Sequence, residues 1–255
     1  MVKIMTEDKE YQKLDNYLDL AIENEMLVIT DEFYTPNLWK KLLKNSYRKL
    51  GISINTNGVF IESDRRQIAF VPNSYYNYKQ EINYPNKLLR IEVNKRFNDY
   101  EHKDFLGSLM GLSLKRELFG DLILIENVAY IPVSDKIVEY VLLNLNKIGK
   151  STCTIKIMEN DESIPQYIFD DKVIVISSKR LDSIVSGITN LSRMKVIEPI
   201  ENGKVLINYV EEKDKSKKIE IGSTITIKGF GKFKLFSENG ETKKGKEKIL
   251  VKKYK

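Results

Sequence analysis

The stretch that decides the fold is residues 178–208, SKRLDSIVSGITNLSRMKVIEPIENGKVLIN. Apolar residues recur at near-helical spacing through its first half, which predicts a helix with one buried face and Ser178 as its N-cap. Ser192 occupies the N-cap position of a second helix, and Asn202-Gly203 predicts the end of that helix before an alternating strand at 204–208. The stretch therefore predicts two short helices that lead into a strand.

Basic side chains cluster at the predicted starts of these two helices. Lys179 and Arg180 flank the first helix, and Arg193 and Lys195 lie in the first turn of the second. A helix N-terminus offers backbone N–H groups to an anion, and the arginine guanidinium holds a phosphate through two parallel hydrogen bonds. This pattern favours an RNA backbone as the ligand.

Several short motifs in this stretch resemble those of the ribosomal S4-like RNA-binding domain. They are Arg180-Leu181-Asp182, Ser192-Arg193, and Gly203-Lys204-Val205 with Asn208. The resemblance implies a domain that grips structured RNA with its two helices.

The sequence departs from the S4-like pattern at two places. Pro199 stands inside the second predicted helix, where it removes an amide donor and clashes with the preceding turn, so a kink or an early end of the helix is expected. Gly222-Ser223 replaces the usual Gly-Asp before the last core strand, which changes the hydrogen bonding expected at that turn.

Composition is typical of a folded protein with more than one domain. The 255 residues are 42% hydrophobic and 31% charged, and no apolar run approaches the roughly 18 residues of a membrane span. No apolar signal region follows Met1, so a cytoplasmic location is expected. Cys153 and His102 are single residues of their types, which excludes intrachain disulfides and the commonest zinc-ligand sets.

Positive charge is concentrated in the C-terminal third. Residues 172–255 hold 20 of the 42 Lys and Arg residues but only 10 of the 36 Asp and Glu residues, so this part carries +10 and residues 1–171 carry −4. Such a concentration favours a phosphate-rich partner.

The first 75 residues predict a small α/β domain. An amphipathic helix at 6–26 and a second helix after Thr35-Pro36 precede strands at 52–54 and 68–71. Trp39 is expected in the core rather than in base stacking.

Two features near the end of this domain are expected to be structural. Arg65-Arg66 is more typical of a solvated surface than of a phosphate contact. The tyrosine-rich segment 72–84 predicts a linker or a surface loop over a domain junction.

Residues 76–165 predict a second domain with the element order βαββαβ. This order is the ferredoxin-like split motif, which packs two helices on one sheet face and leaves the other face open. RNA-recognition modules share the topology, but Tyr130 is the main candidate for a stacking aromatic on the central strands, so base readout by this sheet is not expected.

Further motifs resemble those of the YlmH family. The central domain carries His102-Lys103-Asp104-Phe105-Leu106-Gly107-Ser108-Leu109-Met110 and Lys115-Arg116-Glu117-Leu118-Phe119-Gly120-Asp121, and the C-terminal part carries KGFGKF at 228–233 and TKKGK at 242–246. The resemblance implies an RNA-binding protein of the large ribosomal subunit that contacts rRNA and peptidyl-tRNA in ribosome-associated quality control of stalled translation. It also implies a link to cell division, which keeps an adaptor protein as an alternative.

The sequence gives little support for catalysis. His102 has no serine, cysteine or metal partner in evidence and is expected to be structural. Gly229-Phe230-Gly231 lacks the context of a nucleotide-binding loop. S4-like modules also occur on pseudouridine synthases and RNA methyltransferases, so an RNA-modifying enzyme is a less favoured alternative. Neither a cofactor nor a metal is expected.

The sequence therefore predicts a non-catalytic α+β protein whose third domain spans residues 172–255. Its tail is expected to form a hairpin around Asn239-Gly240 with lysines on the rim. A monomer without membrane contact is expected, with a protein partner possible for the acidic half. The predicted RNA-binding residues are Lys179, Arg180, Arg193, Lys195, Lys204, Lys228, Lys232, Lys234, Lys243, Lys244 and Lys246.

Overall fold

A computed structural model describes residues 9–44, 47–78, 81–93, 100–159 and 162–254. The chain divides into two compact units, Met1–Gln166 and Tyr167–Lys255. Helices and antiparallel sheets occur in both units, which confirms the α+β class. The further division of the first unit into domains of residues 1–75 and 76–165 stays a prediction. Among the described residues, no helix is long and apolar enough to cross a membrane.

The N-terminal part of the first unit packs two helices against a three-stranded sheet. Trp39 is only 8% exposed, as expected for a core residue, and its indole donates a 2.7 Å hydrogen bond to the carbonyl of Asp64. The sheet order is β1-β3-β2, with a two-residue strand β1 that is too short to give an alternating pattern. The elements are α1 (Lys9–Glu23), β1 (Val28–Ile29), α2 (Pro36–Lys44), β2 (Ile52–Asn57) and β3 (Gln67–Pro72).

The central part has the predicted βαββαβ order. Its sheet runs β5-β6-β4-β8-β7 with antiparallel neighbours, so the first strand lies in the middle, as in the ferredoxin-like motif. The second helix ends at Asn144, and residues 147–148 form an additional edge strand. The elements are β4 (Asn86–Val93), α3 (His102–Met110), β5 (Ile123–Ile125), β6 (Val128–Ser134), α4 (Val138–Asn144), β7 (Lys147–Ile148) and β8 (Ser151–Ile157).

The sequence motif at 102–121 holds the first unit together. Asp104 accepts the amide of Glu101 at 2.8 Å and completes a capping box at the start of α3. Asp121 is 5% exposed, and its carboxylate accepts the amides of Asp64 and Arg65, the latter at 2.9 Å. The motif therefore joins the N-terminal and central parts through buried, charge-assisted hydrogen bonds.

The second unit is a six-stranded antiparallel sheet with two helices on one face. Its strand order is β11-β10-β12-β13-β14-β9, and the core lies between the helices and this face. Strand β9 was not predicted, yet it pairs with the whole of β14. The elements are β9 (Phe169–Ile176), α5 (Leu181–Thr189), α6 (Arg193–Glu201), β10 (Val205–Ile207), β11 (Val210–Glu211), β12 (Thr224–Ile227), β13 (Gly231–Glu241) and β14 (Glu247–Tyr254).

The structure overturns three details predicted for this unit: the N-cap of α5, the early end of α6 at Pro199 and the position of the hairpin turn. The N-cap of α5 is Arg180 rather than Ser178. Helix α6 continues through Pro199 to Glu201, since buried Ile200 anchors its last turn in the core. The hairpin turns at 242–246 rather than at Asn239-Gly240, which instead lies in the irregular part of β13.

The Gly222-Ser223 turn obtains its hydrogen bonds from the backbone. Gly222 has a φ of +81° and donates to the carbonyl of Leu235, and the amide of Leu235 donates to Ser223 at 2.9 Å. The side chain of Asn208 accepts the amide of Thr224 at 3.0 Å. The exchange of aspartate for serine is therefore accommodated without loss of the turn.

Candidate nucleic-acid interface

Arg180 is oriented by an acidic residue of the same motif. Its Nε donates to Oδ1 of Asp182 at 3.2 Å, and the Arg180 side chain remains 41% exposed while that of Asp182 is 10% exposed. Asp182 also accepts the amide of Ser183 at 2.9 Å. Leu181 between them is fully buried. The Arg-Leu-Asp motif thus fixes an exposed guanidinium at the start of α5.

Arg193 joins the starts of both helices. It is the first residue of α6, and its Nη2 donates to the hydroxyl of Ser183 on α5 at 2.6 Å and to the hydroxyl of Ser177, next to β9. Both partners are neutral, so the positive charge of Arg193 is not compensated by them. A guanidinium has five N–H donors, and the serines use only those of one nitrogen. Arg193 is therefore both exposed and held in place.

The two helix starts differ in the backbone amides that they present. The amides of Leu181 and Asp182 donate to the carbonyls of Lys217 and Lys215, at 2.9 and 3.1 Å. At α6 the Lys195 amide donates to the Ser192 carbonyl at 3.0 Å, but among the described residues no carbonyl accepts the amides of Arg193 and Met194, and Ser192 makes no side-chain capping bond. An anion can therefore reach backbone amides at α6, whereas at α5 only side chains are available.

The loop at 212–219 is a basic element that the sequence analysis missed. Its backbone pairs with residues 179–182, through an Arg180–Lys218 bridge and a 2.8 Å hydrogen bond from the Ile219 amide to the Lys179 carbonyl. This pairing brings the loop lysines beside Arg180. The run KDKSKK at 213–218 indicates a basic loop. Its position beside α5 could not be predicted, because that position depends on pairing between residues that are remote in sequence.

Most lysines of this loop already have acidic partners. Lys215 lies 3.1 Å from Glu201, Lys217 pairs with Glu212, and Lys213 lies 3.9 Å from Glu211. Lys218 is exposed. Exposed pairs of this kind are weak and exchange readily with other anions, so the loop can extend a phosphate-binding surface.

Lys179 is the predicted residue that is most strongly engaged within the protein. Its ammonium pairs with Glu238, and with Glu247 at 3.3 Å. The hydrogen bond to Glu238 is the main reason that the pKa of Lys179 is raised. Lys179 therefore ties the hairpin of β13 and β14 to the start of α5, and it offers less charge to RNA than Arg193 does.

The other predicted lysines lie at three further places. Lys204 and Lys228 are exposed at neighbouring strand ends, joined by a 3.0 Å backbone hydrogen bond. Lys232 and Lys234 lie on the sheet face turned away from α5 and α6, because Phe233 between them points into the core. The turn of the hairpin carries the remaining ones, Lys243, Lys244 and Lys246, all exposed. The predicted set therefore covers more than one surface.

The central sheet has a small polar row on its open face. Arg90 lies opposite Tyr130 on one neighbouring strand and opposite Lys156 on the other. Both cations have acidic partners, since Arg90 lies 2.6 Å from Glu92 and Lys156 lies 3.0 Å from Glu162. The row therefore carries one aromatic side chain, Tyr130, and each of its two cations is paired with a carboxylate.

Other residues singled out in the sequence have structural contacts. The His102 ring lies 3.1 Å from the carbonyl of Leu122. Arg66 stacks on Trp39 at 4.8 Å, and Arg65 donates to the carbonyl of Phe33. Among the described residues, no group of His, Cys, Asp and Glu is arranged to hold a metal ion.

These basic helix starts fit an RNA-binding protein, and a comparison of the central residues with known families gives the same class. Residues 79–162 match the family model described as the putative RNA-binding domain in YlmH. The chain is 25% identical over 238 residues to ribosome-associated protein quality control protein P2 of Bacillus subtilis (strain 168), covering 85% of this chain and 92% of that protein. These two matches confirm the predicted resemblance to the YlmH family.

A solved structure is also similar to this chain. It is described as cell division protein ylmH from Streptococcus pneumoniae, with 22% identity and a TM-score of 0.49. The match covers 65% of this chain and all of that chain.

Proposed function

We propose that this protein binds structured rRNA and tRNA on the large ribosomal subunit, where it acts without catalysis in ribosome-associated quality control of stalled translation. The observation that carries the proposal is the exposed guanidinium of Arg193, which two neutral serine hydroxyls hold at the N-terminus of α6, with Arg180 and the 212–219 loop near the start of α5. The relative from Bacillus subtilis supports the ribosomal context by its name. The soluble compartment of the cytoplasm is the matching location.

The geometry favours recognition of shape and phosphate over recognition of base sequence. The donors at the start of α6 are a guanidinium, the Lys195 ammonium and backbone amides, which all suit phosphate oxygens. Folded RNA exposes its backbone in defined geometry, so fixed donors select structured RNA.

The first test measures ribosome association. Lysate from cells that express the wild-type chain, R193A or K150A is sedimented through sucrose gradients at low and high salt. Lys150 is an exposed lysine of the first unit, so K150A controls for the loss of one charge. We expect the wild type and K150A in large-subunit fractions at low salt, release at high salt, and R193A at the top. If the wild type stays at the top at low salt, the ribosomal assignment is wrong.

The second test uses purified protein and an RNA hairpin. We expect R193A to weaken binding about tenfold, since a bidentate contact to phosphate is lost. R193K keeps the charge but loses the planar fork, and it should fall between the wild type and R193A. Equal affinity of all three proteins would exclude this surface as the RNA site.

A further inference from the structure

The second unit has another surface on the side of its sheet away from the helices. Phe233 and Leu235 of β13, and Ile249 and Val251 of β14, point into the core, so the residues that alternate with them point outward. We call this surface the outer sheet face. Its basic and aromatic residues include Phe169, Lys232, Lys234, Phe236, Lys252 and Tyr254.

Lysine ammonium groups lie over the aromatic rings of the outer sheet face. Lys252 lies 3.7 Å from the ring centre of Phe236 and 5.2 Å from that of Phe169. Lys232 lies 4.3 Å from the ring centre of Tyr254. Phe169 and Tyr254 pack edge to face at 4.9 Å, which fixes their orientation. Aromatic surface and positive charge are therefore interleaved in a fixed arrangement.

Strand register places like charges together on this face. Lys234 and Lys252 are direct cross-strand partners on β13 and β14. Opposed like charges destabilise a sheet, and a bound polyanion would relieve the repulsion. Asp171, the partner of Lys252 on β9, is the acidic residue in this row.

Apolar surface continues from the rings to the sheet edge. Val173 and Val175 on edge strand β9 are 46% and 50% exposed, and Val173 lies opposite Leu250. Contiguous apolar surface that stays exposed is typical of a binding site. Flat apolar surface next to lysines fits a ligand that has flat rings and a phosphate backbone.

We propose that the outer sheet face binds an unpaired segment of RNA. Lys252 moves from the ring face of Phe236 to a phosphate, a base stacks on the ring that it uncovers and on the apolar neighbours, and Lys232 and Lys234 bind further phosphates. Base stacking on aromatic side chains is independent of sequence and requires bases that are free of pairing partners. A duplex hides its base faces, so the rings favour single strands. The inference rests on the proposed function only in that the ligand is RNA, because it concerns the opposite face from Arg193.

The test measures how two RNA probes bind to the chain of residues 1–255. One probe is an unpaired ten-nucleotide uridine strand, whose bases stack little on one another, and the other is the RNA hairpin used above; both carry a fluorescent label for anisotropy. F236L keeps an apolar side chain but removes the stacking ring, and F236Y restores a ring at the same position. K234Q/K252Q removes two positive charges from the face.

We expect F236L to weaken binding of the single strand about tenfold and to leave hairpin binding unchanged, while F236Y binds as the wild type does. K234Q/K252Q should lower the salt slope for the single strand by about 0.7 per lysine. R193A should have the opposite effect: it should weaken binding of the hairpin and leave binding of the single strand unchanged.

Single-strand binding that is unchanged in both F236L and K234Q/K252Q would overturn the inference, as would equal losses for both probes in proteins that remain folded by circular dichroism. A protein that crosslinks to this face in place of RNA would also overturn it. Failure of the hairpin and gradient tests alone would instead remove the proposed function, so the two failures are distinguishable.

Discussion

Arg180 and Arg193 are exposed cations that the protein holds with short side chains. Asp182 and Ser183, adjacent on the first turn of α5, each hold one guanidinium. Because long basic side chains lose about 2 kcal/mol of rotamer entropy when they are immobilised, fixing them in the free protein lowers the cost of binding RNA. The residues were predicted from their positions at helix starts. Their holding partners were only partly predictable, since Ser177 and Ser183 carry no motif that links them to Arg193.

The pH dependence of stability should reveal how the 212–219 loop is held. Burial raises the pKa of Glu212, but hydrogen bonds from Lys217 and from the Asp214 amide at 2.9 Å outweigh burial, so its pKa is lowered from 4.5. A lowered pKa in the folded state stabilises the protein above pH 4.5, and this contribution disappears as the pH falls through the folded value.

Glu212→Gln should therefore cost at most about 1 kcal/mol of unfolding free energy at neutral pH, and less as the pH falls below 4.5. Urea denaturation across pH 3 to 7 measures the difference. Glu220→Gln changes the same type of residue near the loop and is the control. A difference between wild type and Glu212→Gln that stays constant over this range would contradict the explanation.

At the scale of elements, helix α6 keeps a proline that a regular helix disfavours. Pro199 is the seventh of its nine residues and cannot donate to the carbonyl four residues earlier. The helix persists because Val196 and Ile200 are buried in the core. Proline therefore still costs free energy within the helix, but the tertiary packing of Val196 and Ile200 keeps the helix formed through Glu201.

Pro199→Ala should raise the unfolding free energy by about 2 kcal/mol. Alanine is about 3 kcal/mol more favourable inside a helix, and the greater freedom of the unfolded chain removes up to about 1 kcal/mol of this gain. Hairpin binding should not change, since Arg193 lies at the other end of the helix. Urea denaturation of Pro199→Ala and of the neighbouring control Glu198→Ala tests this. A destabilised Pro199→Ala protein would show that the ring contributes packing that alanine cannot replace.

Strand pairing explains why the hairpin turn was misplaced. Both Asn239-Gly240 and the 242–246 turn contain a glycine at positive φ, so local sequence does not choose between them. β14 pairs with β9 from Glu247 to Tyr254, and the turn at 242–246 leaves that whole strand free to pair. Since β9 was not predicted, the information that places the turn was missing. The same edge strand completes the outer sheet face.

At the scale of the whole molecule, charge follows the division into two units. Residues 167–255 hold 20 of the 42 basic residues and 12 of the 36 acidic residues, so this unit carries +8 and residues 1–166 carry −2. The α+β class, the central βαββαβ order and the basic C-terminal unit were all predictable, because hydrophobic period and charge are local properties. The joining of the first two predicted domains through Asp121 was not, since it depends on hydrogen bonds between residues more than fifty positions apart.

If the second unit supplies the phosphate contacts, it should bind RNA by itself. It has its own core, so residues 167–255 are expected to fold alone. Each phosphate contact contributes about 0.9 to the slope of log affinity against log salt for a duplex. Contacts from Arg180, Arg193, Lys195 and Lys218 therefore predict a slope near −4 for the hairpin, both in the full chain and in the fragment.

Anisotropy titrations between 50 and 200 mM salt measure these slopes, and residues 1–166 serve as the matched fragment of opposite charge. A fragment slope less than half that of the full chain would contradict the prediction. It would assign most phosphate contacts to the first unit, where the family match lies, although Arg90 and Lys156 there are paired with Glu92 and Glu162. Those two ion pairs would then have to open when RNA binds, and replacing Glu92 and Glu162 by glutamine would strengthen binding instead of leaving it unchanged.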